Sequence, residues 1–128
     1  MNILLDACSF LWALEEPERL SEEARRVFAQ KENRLFLSAV TVWEIALKYR
    51  LERLHLPAPP SVTIPRAMRD LKLTSLDLDI SSAMRVASLP LHHKDPFDRM
   101  LVCQSLCHDM AILTPDALIK QYAVPCIW

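Results

Sequence analysis

The sequence predicts an α/β fold: three layers, α/β/α, with a mostly parallel central sheet, carried by residues 1–128 as a single domain. Two observations carry that expectation. Short apolar runs of strand length alternate with segments of helical rhythm, and the runs are apolar throughout, as in strands covered on both faces. Several of them are followed directly by Asp, Ser or Thr, the residues that cap helices.

The run 2–5 reads as a buried strand with Asp6 at its carboxyl end, and the segment from Ser9 to Leu14 is helical until Pro17 stops it. Ser21 caps a second helix with Glu22 and Glu23 in its first turn and Ala24, Val27 and Phe28 on one face. Residues 35–37 form the second strand, after which Ser38 or Thr41 caps a helix whose inward stripe is Val42, Ile45, Ala46 and Tyr49. The prolines in 56–61 exclude a helix interior or central strand there, leaving a stiff surface connection within the domain. Residues 63–71 read as a short helix and 73–78 as a third strand; Asp79 then caps a helix ending before Pro90. Asp95 and Pro96 are a matched cap and first-position pair for a helix running to about Asp109, with Asp98 in its first turn. Residues 110–113 make the next strand, Thr114-Pro115-Asp116 opens another capped helix, and 124–127 form an edge strand where Pro125 is tolerated.

Composition narrows the class. With 52% apolar and 24% charged residues the chain is neither disordered nor a membrane protein. No apolar run approaches the roughly 20 residues that cross a bilayer, and no secretory signal is legible, so a cytoplasmic protein is expected. A formal charge of -1 implies that any nucleic-acid contact is local. The absence of glycine excludes a phosphate-cradling glycine loop and a dinucleotide fingerprint. Cys8, Cys103, Cys107 and Cys126 each read as small core residues. Cys103 and Cys107 stand four apart on one helix, but no further ligands complete a zinc set.

Four acids remain as candidates for chemistry. Asp6, Asp98 and Asp116 lie near strand-to-helix junctions at one predicted edge of the sheet, where ligands bind in open parallel sheets. Each is also a residue type that helix starts favour for their own sake. Glu44 stands between Trp43 and Ile45 in a strongly apolar run, where an unpaired carboxylate is costly. Like charges gathered this way repel one another unless a cation is shared, and Mg²⁺ or Mn²⁺ prefers oxygen ligands.

The chain resembles the PIN-domain family, and within it the VapC-type toxins of toxin–antitoxin pairs. The resemblance rests on Ile3-Leu4-Leu5-Asp6, Ser38-Ala39-Val40-Thr41-Val42-Trp43-Glu44-Ile45, the block from Leu89 through His93-Lys94-Asp95-Pro96-Phe97-Asp98-Arg99 to Val102, and Leu113-Thr114-Pro115-Asp116 with the tail Val124-Pro125-Cys126-Ile127-Trp128. It implies a Mg²⁺- or Mn²⁺-dependent endoribonuclease with Asp6, Glu44 and Asp98 as the main acids and Asp116 as a more variable fourth. Asp95, with Thr114, would support or cap the site. Either Glu44 or Asp98 orients the attacking water. The implied partners are an RNA substrate, a cognate antitoxin and a second copy in a homodimer, with no membrane. Family members often carry glycine after the tyrosine, where this chain has Tyr122-Ala123. Lys94, Arg99, His92 and His93 flank Asp98 and are candidate phosphate contacts; both histidines also fit plain solvent exposure, and Arg99 also fits pairing with an acid. The apolar residues Phe10, Leu11, Trp12 and Leu14 exceed what one helical face needs and suggest an interaction surface; the resemblance implies a groove near this region for the antitoxin, with the homodimer formed elsewhere. Two rival readings are a phosphohydrolase of another α/β class, disfavoured by Cys8 two residues after Asp6 in place of a second acid, and a catalytically weak or inactive PIN-like interaction module.

Overall fold

The computed structural model describes residues 1–128. Its centre is a five-stranded parallel sheet of β1 (Asn2–Leu5), β2 (Arg34–Ser38), β3 (Leu73–Leu76), β4 (Ala111–Leu113) and β5 (Cys126–Ile127), in the order β3-β2-β1-β4-β5. Helices α1 (Ala7–Glu15), α2 (Glu22–Ala29), α3 (Ala39–Arg50), α4 (Pro60–Asp70), α5 (Ile80–Arg85) and α6 (Pro96–His108) complete a three-layer α/β/α architecture. Alternation along β1 shows how the layers form. Ile3 and Leu5 pack with Phe10, Val27, Ile45 and Ile64 of α1 to α4, whereas Leu4 points to the other face with Leu101 of α6. Both sets are removed from water, which is why the strand is apolar at every position from Ile3 onward.

Side chains start most of the helices. Asp6 accepts from the Ser9 N–H, Ser21 from Ala24, Ser38 from Val40, Asp79 from Ser82, and Asp95 from both Phe97 and Asp98. Ser38 is therefore the cap of α3, and Thr41 lies inside it. With no glycine available, Glu52, Lys72 and Asp109 take the left-handed conformation just past α3, α4 and α6, each at a cost of roughly 1 kcal/mol.

The sheet order places the site. From β1 the chain builds to one side through β2 and β3, then crosses back to β4 and β5, so connections leave β1 and β4 in opposite directions. That reversal opens a crevice beyond their carboxyl ends. Leu5 pairs with Leu113, so Asp6 and Thr114 emerge side by side.

Several expectations need correction. α4 starts at Pro60, not at 63, because proline suits the first helical position; Pro65 stays inside it, forgoing one backbone hydrogen bond. β3 ends at Leu76, before the approach to the Asp79 cap. No helix follows Thr114: Asp116 closes a turn and a single 3₁₀ turn covers Ile119–Gln121, because the chain must return to pair β5 with β4 within a dozen residues. Only Cys103 is a core cysteine; Cys107 is exposed, and Cys8 and Cys126 are half-buried, since both ends of these elements lie at the surface. Phe10 is fully buried, and Leu11, Trp12 and Leu14 pack on the core, with the Trp12 ring 5.7 Å from that of Trp128. Those apolar residues are thus largely occupied by the chain itself. Exposed apolar side chains lie instead at Trp43 and Leu47 along α3, at Leu51 just past its end, and at Ile80 and Met84 along α5. No helix is long and apolar enough to cross a membrane.

Candidate active site

The crevice beyond β1 and β4 is a cavity of about 420 Å³ lined by Asp6, Glu44, Asp95, Asp98 and Asp116, with Lys48 as the only basic side chain. Five carboxylates from four separate stretches of chain converge there. Asp6 ends β1; Glu44 comes from the second turn of α3; Asp95 and Asp98 come from the start of α6; and Asp116 comes from the turn after β4. A somewhat larger concavity, about 480 Å³, lies at the end of α3 and holds one acid, Glu52, so it offers no comparable grouping.

The carboxylates differ in what holds them. Asp6 is fixed at both oxygens, one by the Ser9 N–H at 2.7 Å and the other by the Thr114 hydroxyl at 2.6 Å. Asp116 is held at one oxygen by the Leu118 and Ile119 N–H groups and at the other by His93. Asp98 meets His93 Nε2 through one oxygen at 3.1 Å. Glu44 accepts from the Lys48 ammonium through Oε2 at 2.5 Å, while its Oε1 is buried with no donor at all. Glu44 and Asp98 thus cap nothing, unlike Asp6, Asp95 and Asp116.

Electrostatics follow from this crowding. Burial pushes the Asp98 carboxyl up to about 7, with the charges of Asp95, Glu44 and Asp6 adding to it. Burial also raises Asp6, against the opposing hydrogen bonds from Thr114 and Ser9. For Asp116 burial acts upward as well, but the hydrogen bonds from His93, Leu118 and Ile119 outweigh it and leave its carboxyl low. The hydrogen bond to Glu44 holds Lys48 firmly in its charged form. The Cys8 thiol at the cavity wall is pushed up to about 11 by burial and by Asp6, so it stays protonated and unreactive.

His93 is buried, and its Nε2 with Asp98 Oδ2 and Asp116 Oδ2 forms a group within 4.8 Å that can gather a metal ion. His92 is exposed and lays its ring against Tyr122. Lys94 is exposed and makes no ion pair. Arg99 turns inward: its guanidinium donates to the carbonyls of Leu89, Pro90 and His93 and to the Tyr122 hydroxyl. It clamps the loop before α6 and has no acidic partner. The Tyr122 hydroxyl also accepts the N–H groups of His92 and His93.

A family model for the PIN domain matches residues 3–125. The chain belongs to the PIN-domain family. Ribonuclease VapC16 of Mycobacterium tuberculosis (strain ATCC 25618 / H37Rv) is 37% identical to this PIN-family chain over 57 residues, a stretch spanning 44% of this chain and 40% of that protein. VapBC2 from Rickettsia felis, solved bound to a DNA fragment from the promoter, has a TM-score of 0.76 at 10% identity and covers 98% of this chain and 97% of that one. FitAcB from Neisseria gonorrhoeae gives 0.64 at 21% identity, covering 97% of this chain and 95% of that one. At these identities the likeness to the solved structures is one of fold.

Two residues of this PIN-family site, Lys48 and Tyr122, escape a reading of the sequence, and His93 is legible there only as a candidate phosphate contact. Lys48 carried a usable signal, since it follows Glu44 by four on a helix, the spacing of a favourable ion pair. The burial of His93 and the clamp formed by Tyr122 carried none, because both depend on contacts across 23 to 29 residues of chain.

Proposed function

We propose that this cavity hydrolyses RNA phosphodiesters with Mg²⁺ or Mn²⁺, and that the protein is the toxin of a toxin–antitoxin pair. The observation that carries the reading is Glu44 Oε1, a buried carboxylate oxygen without a donor, in a cavity shared with Asp6 and Asp98. A buried oxygen left so costs on the order of 1–3 kcal/mol or more, and an all-oxygen set of acids suits a hard divalent cation. Asp6, Glu44 and Asp98 would hold that ion, with Asp116 beside them. Bound there, it would polarise a phosphoryl oxygen and ease deprotonation of a water.

The chain's own residues supply the positioning. The Ser9 N–H and Thr114 hydroxyl hold the Asp6 carboxylate in one orientation, and α6 brings Asp98 to the same cavity with its positive end nearby. Glu44 or Asp98 can accept a proton from the attacking water. Lys48, the one cation in the cavity, can pair with a phosphate once Glu44 is shared with the metal.

The name of the mycobacterial relative and the two-component complexes among the fold neighbours support ribonuclease activity and a protein antitoxin. The exposed row Trp43, Leu47, Leu51 supports self-association, for which a two-fold dimer is the common solution; ultracentrifugation should give twice the chain mass. A non-enzymatic interaction module has one observation in its favour: Asp6, Asp95 and Asp116 all cap backbone N–H groups, so their presence needs no chemistry. Glu44 and Asp98 separate the two readings. Cleavage of a pool of single-stranded and structured RNAs in Mg²⁺, lost in chelator and in Asp98→Asn, supports the nuclease; equal traces for wild type and variant support the module.

A further inference from the structure

The His93 ring touches two of the cavity's acids, and its tautomer can be read from its neighbours. Its Nδ1 lies 3.0 Å from the backbone nitrogen of Asp95, which can only donate. Nδ1 must therefore offer its lone pair, and the ring proton of the neutral imidazole sits on Nε2. A proton on Nδ1 would face a second donor. Nε2 is 3.0 Å from Asp116 Oδ2 and hydrogen-bonds to it, while Asp98 Oδ2 lies 3.1 Å away as a second carboxylate beside the same ring edge.

We propose that His93 is a positioning residue and not a metal ligand: its Nε2–H holds the Asp116 carboxylate at the cavity and leaves the cation to the carboxylates of Asp6, Glu44, Asp98 and Asp116. This rests on the metal-site reading above and assigns the histidine of the His93, Asp98, Asp116 group a different role from its two neighbours. Ligation through Nε2 needs a lone pair that the proton occupies; ligation through Nδ1 needs the Asp95 N–H to be abandoned. The main chain resists such a change. The His93 N–H donates to the Tyr122 hydroxyl at 2.9 Å, its carbonyl accepts from Arg99, and the residue is 8% exposed.

This hydrogen bond distinguishes the two aspartates. Asp116 has Oδ1 occupied by two backbone N–H groups and Oδ2 by His93, so it anchors the ring. Asp98 has its Oδ2 3.1 Å from the ring but takes no hydrogen bond from it. Asp95 joins the arrangement twice, holding the ring through its N–H and starting α6 through its side chain. The His93 ring is thus held between the Asp95 N–H and the Asp116 carboxylate, and Asp95 in turn starts the helix that carries Asp98.

The test is ¹⁵N NMR of the histidine side chains in the full chain, in chelator and then in saturating Mg²⁺, with His93 assigned by difference from His93→Gln. The expected result is a protonated Nε2 and an unprotonated Nδ1 in both states. An unprotonated Nε2 that shifts on adding Mg²⁺ would overturn the proposal. Mn²⁺ affinity, read from the free-ion EPR signal, gives an independent measure. Glutamine places an amide N–H near Nε2, so His93→Gln should stay within about threefold of wild type, whereas His93→Leu should lose about 10- to 100-fold, as lost outer partners of metal ligands do. Equal losses in both variants, or no Mn²⁺ binding by the wild type, would also overturn it. Absence of RNA cleavage with the tautomer and Mn²⁺ binding intact would refute the ribonuclease reading alone.

Discussion

Neutralising Asp98 should stabilise the metal-free protein at neutral pH, although it removes a residue that the cavity needs. The Asp98 side chain is 17% exposed. Burial first, then the charges of Asp95, Glu44 and Asp6, lift its carboxyl from 3.8 to about 7. A raised folded-state value means that the native protein keeps a proton which the unfolded chain releases near pH 4. Between about pH 4 and pH 7 the folded state therefore binds more protons, and the Asp98 contribution to stability falls as pH rises. At about 1.36 kcal/mol for each tenfold change in proton affinity, full ionisation in chelator is worth roughly 4 kcal/mol of lost stability. Asp98→Asn keeps the shape of the side chain and removes the charge. In urea titrations with chelator, the variant should match wild type near pH 4.5 and overtake it progressively up to pH 8, by as much as about 4 kcal/mol. Adding Mg²⁺ at pH 8 should reverse the order by stabilising wild type alone. A difference that does not change with pH, or a wild type that gains on the variant as pH rises, would refute the reasoning.

Removing the Lys48 charge in Lys48→Met should destabilise the metal-free protein by about 1–2 kcal/mol, between the values for exposed and buried pairs because Glu44 is buried while Lys48 is 43% exposed; Mg²⁺ should recover most of the loss in a thermal melt. Asp95→Ala should cost about 1 kcal/mol through the lost cap of α6, whereas Asp95→Ser should retain stability and much of the activity, measured in the same preparations. If Asp95→Ser folds normally but is as inactive as Asp98→Asn, Asp95 takes part in the metal site directly. In timed iodoacetamide labelling at pH 8, mass spectrometry should find Cys107 modified well before Cys8, whose thiol burial and Asp6 push up to about 11.

Much of this architecture is legible in local sequence because local physics decides it. Asp6, Ser21, Asp79 and Asp95 are good caps at the ends of apolar or polar approaches, and each does cap the helix that follows. The apolar run of β1 marks a strand covered on both faces. The convergence of Asp6, Glu44, Asp98 and Asp116 is legible too, since a carboxylate inside an apolar run needs company and strand ends share one edge. What is lost is set by the return path of the chain. Thr114-Pro115-Asp116 has the local features of a helix start, but too few residues remain before β5 for a helix to form, so the same cap closes a turn. The apolar excess at Phe10 to Leu14 looks like a surface until Trp128 folds back onto it. His93 and Arg99 look like solvent-facing cations flanking an acid; only the tertiary fold brings Asp116 and Tyr122 up to them and turns both inward.

The most direct test of the central claim is single-turnover cleavage of single-stranded RNA by wild type and Glu44→Gln at matched folded fractions. Glu44 is the choice because it caps no helix, so its loss reports on the cavity's chemistry and not on the start of an element. Wild type should cleave in Mg²⁺ or Mn²⁺ and stop in chelator, and Glu44→Gln should be slower by about 100-fold or more, the scale of losing one group that stabilises the reacting centre. Cleavage that persists in chelator, or a folded Glu44→Gln protein as fast as wild type, would contradict the account.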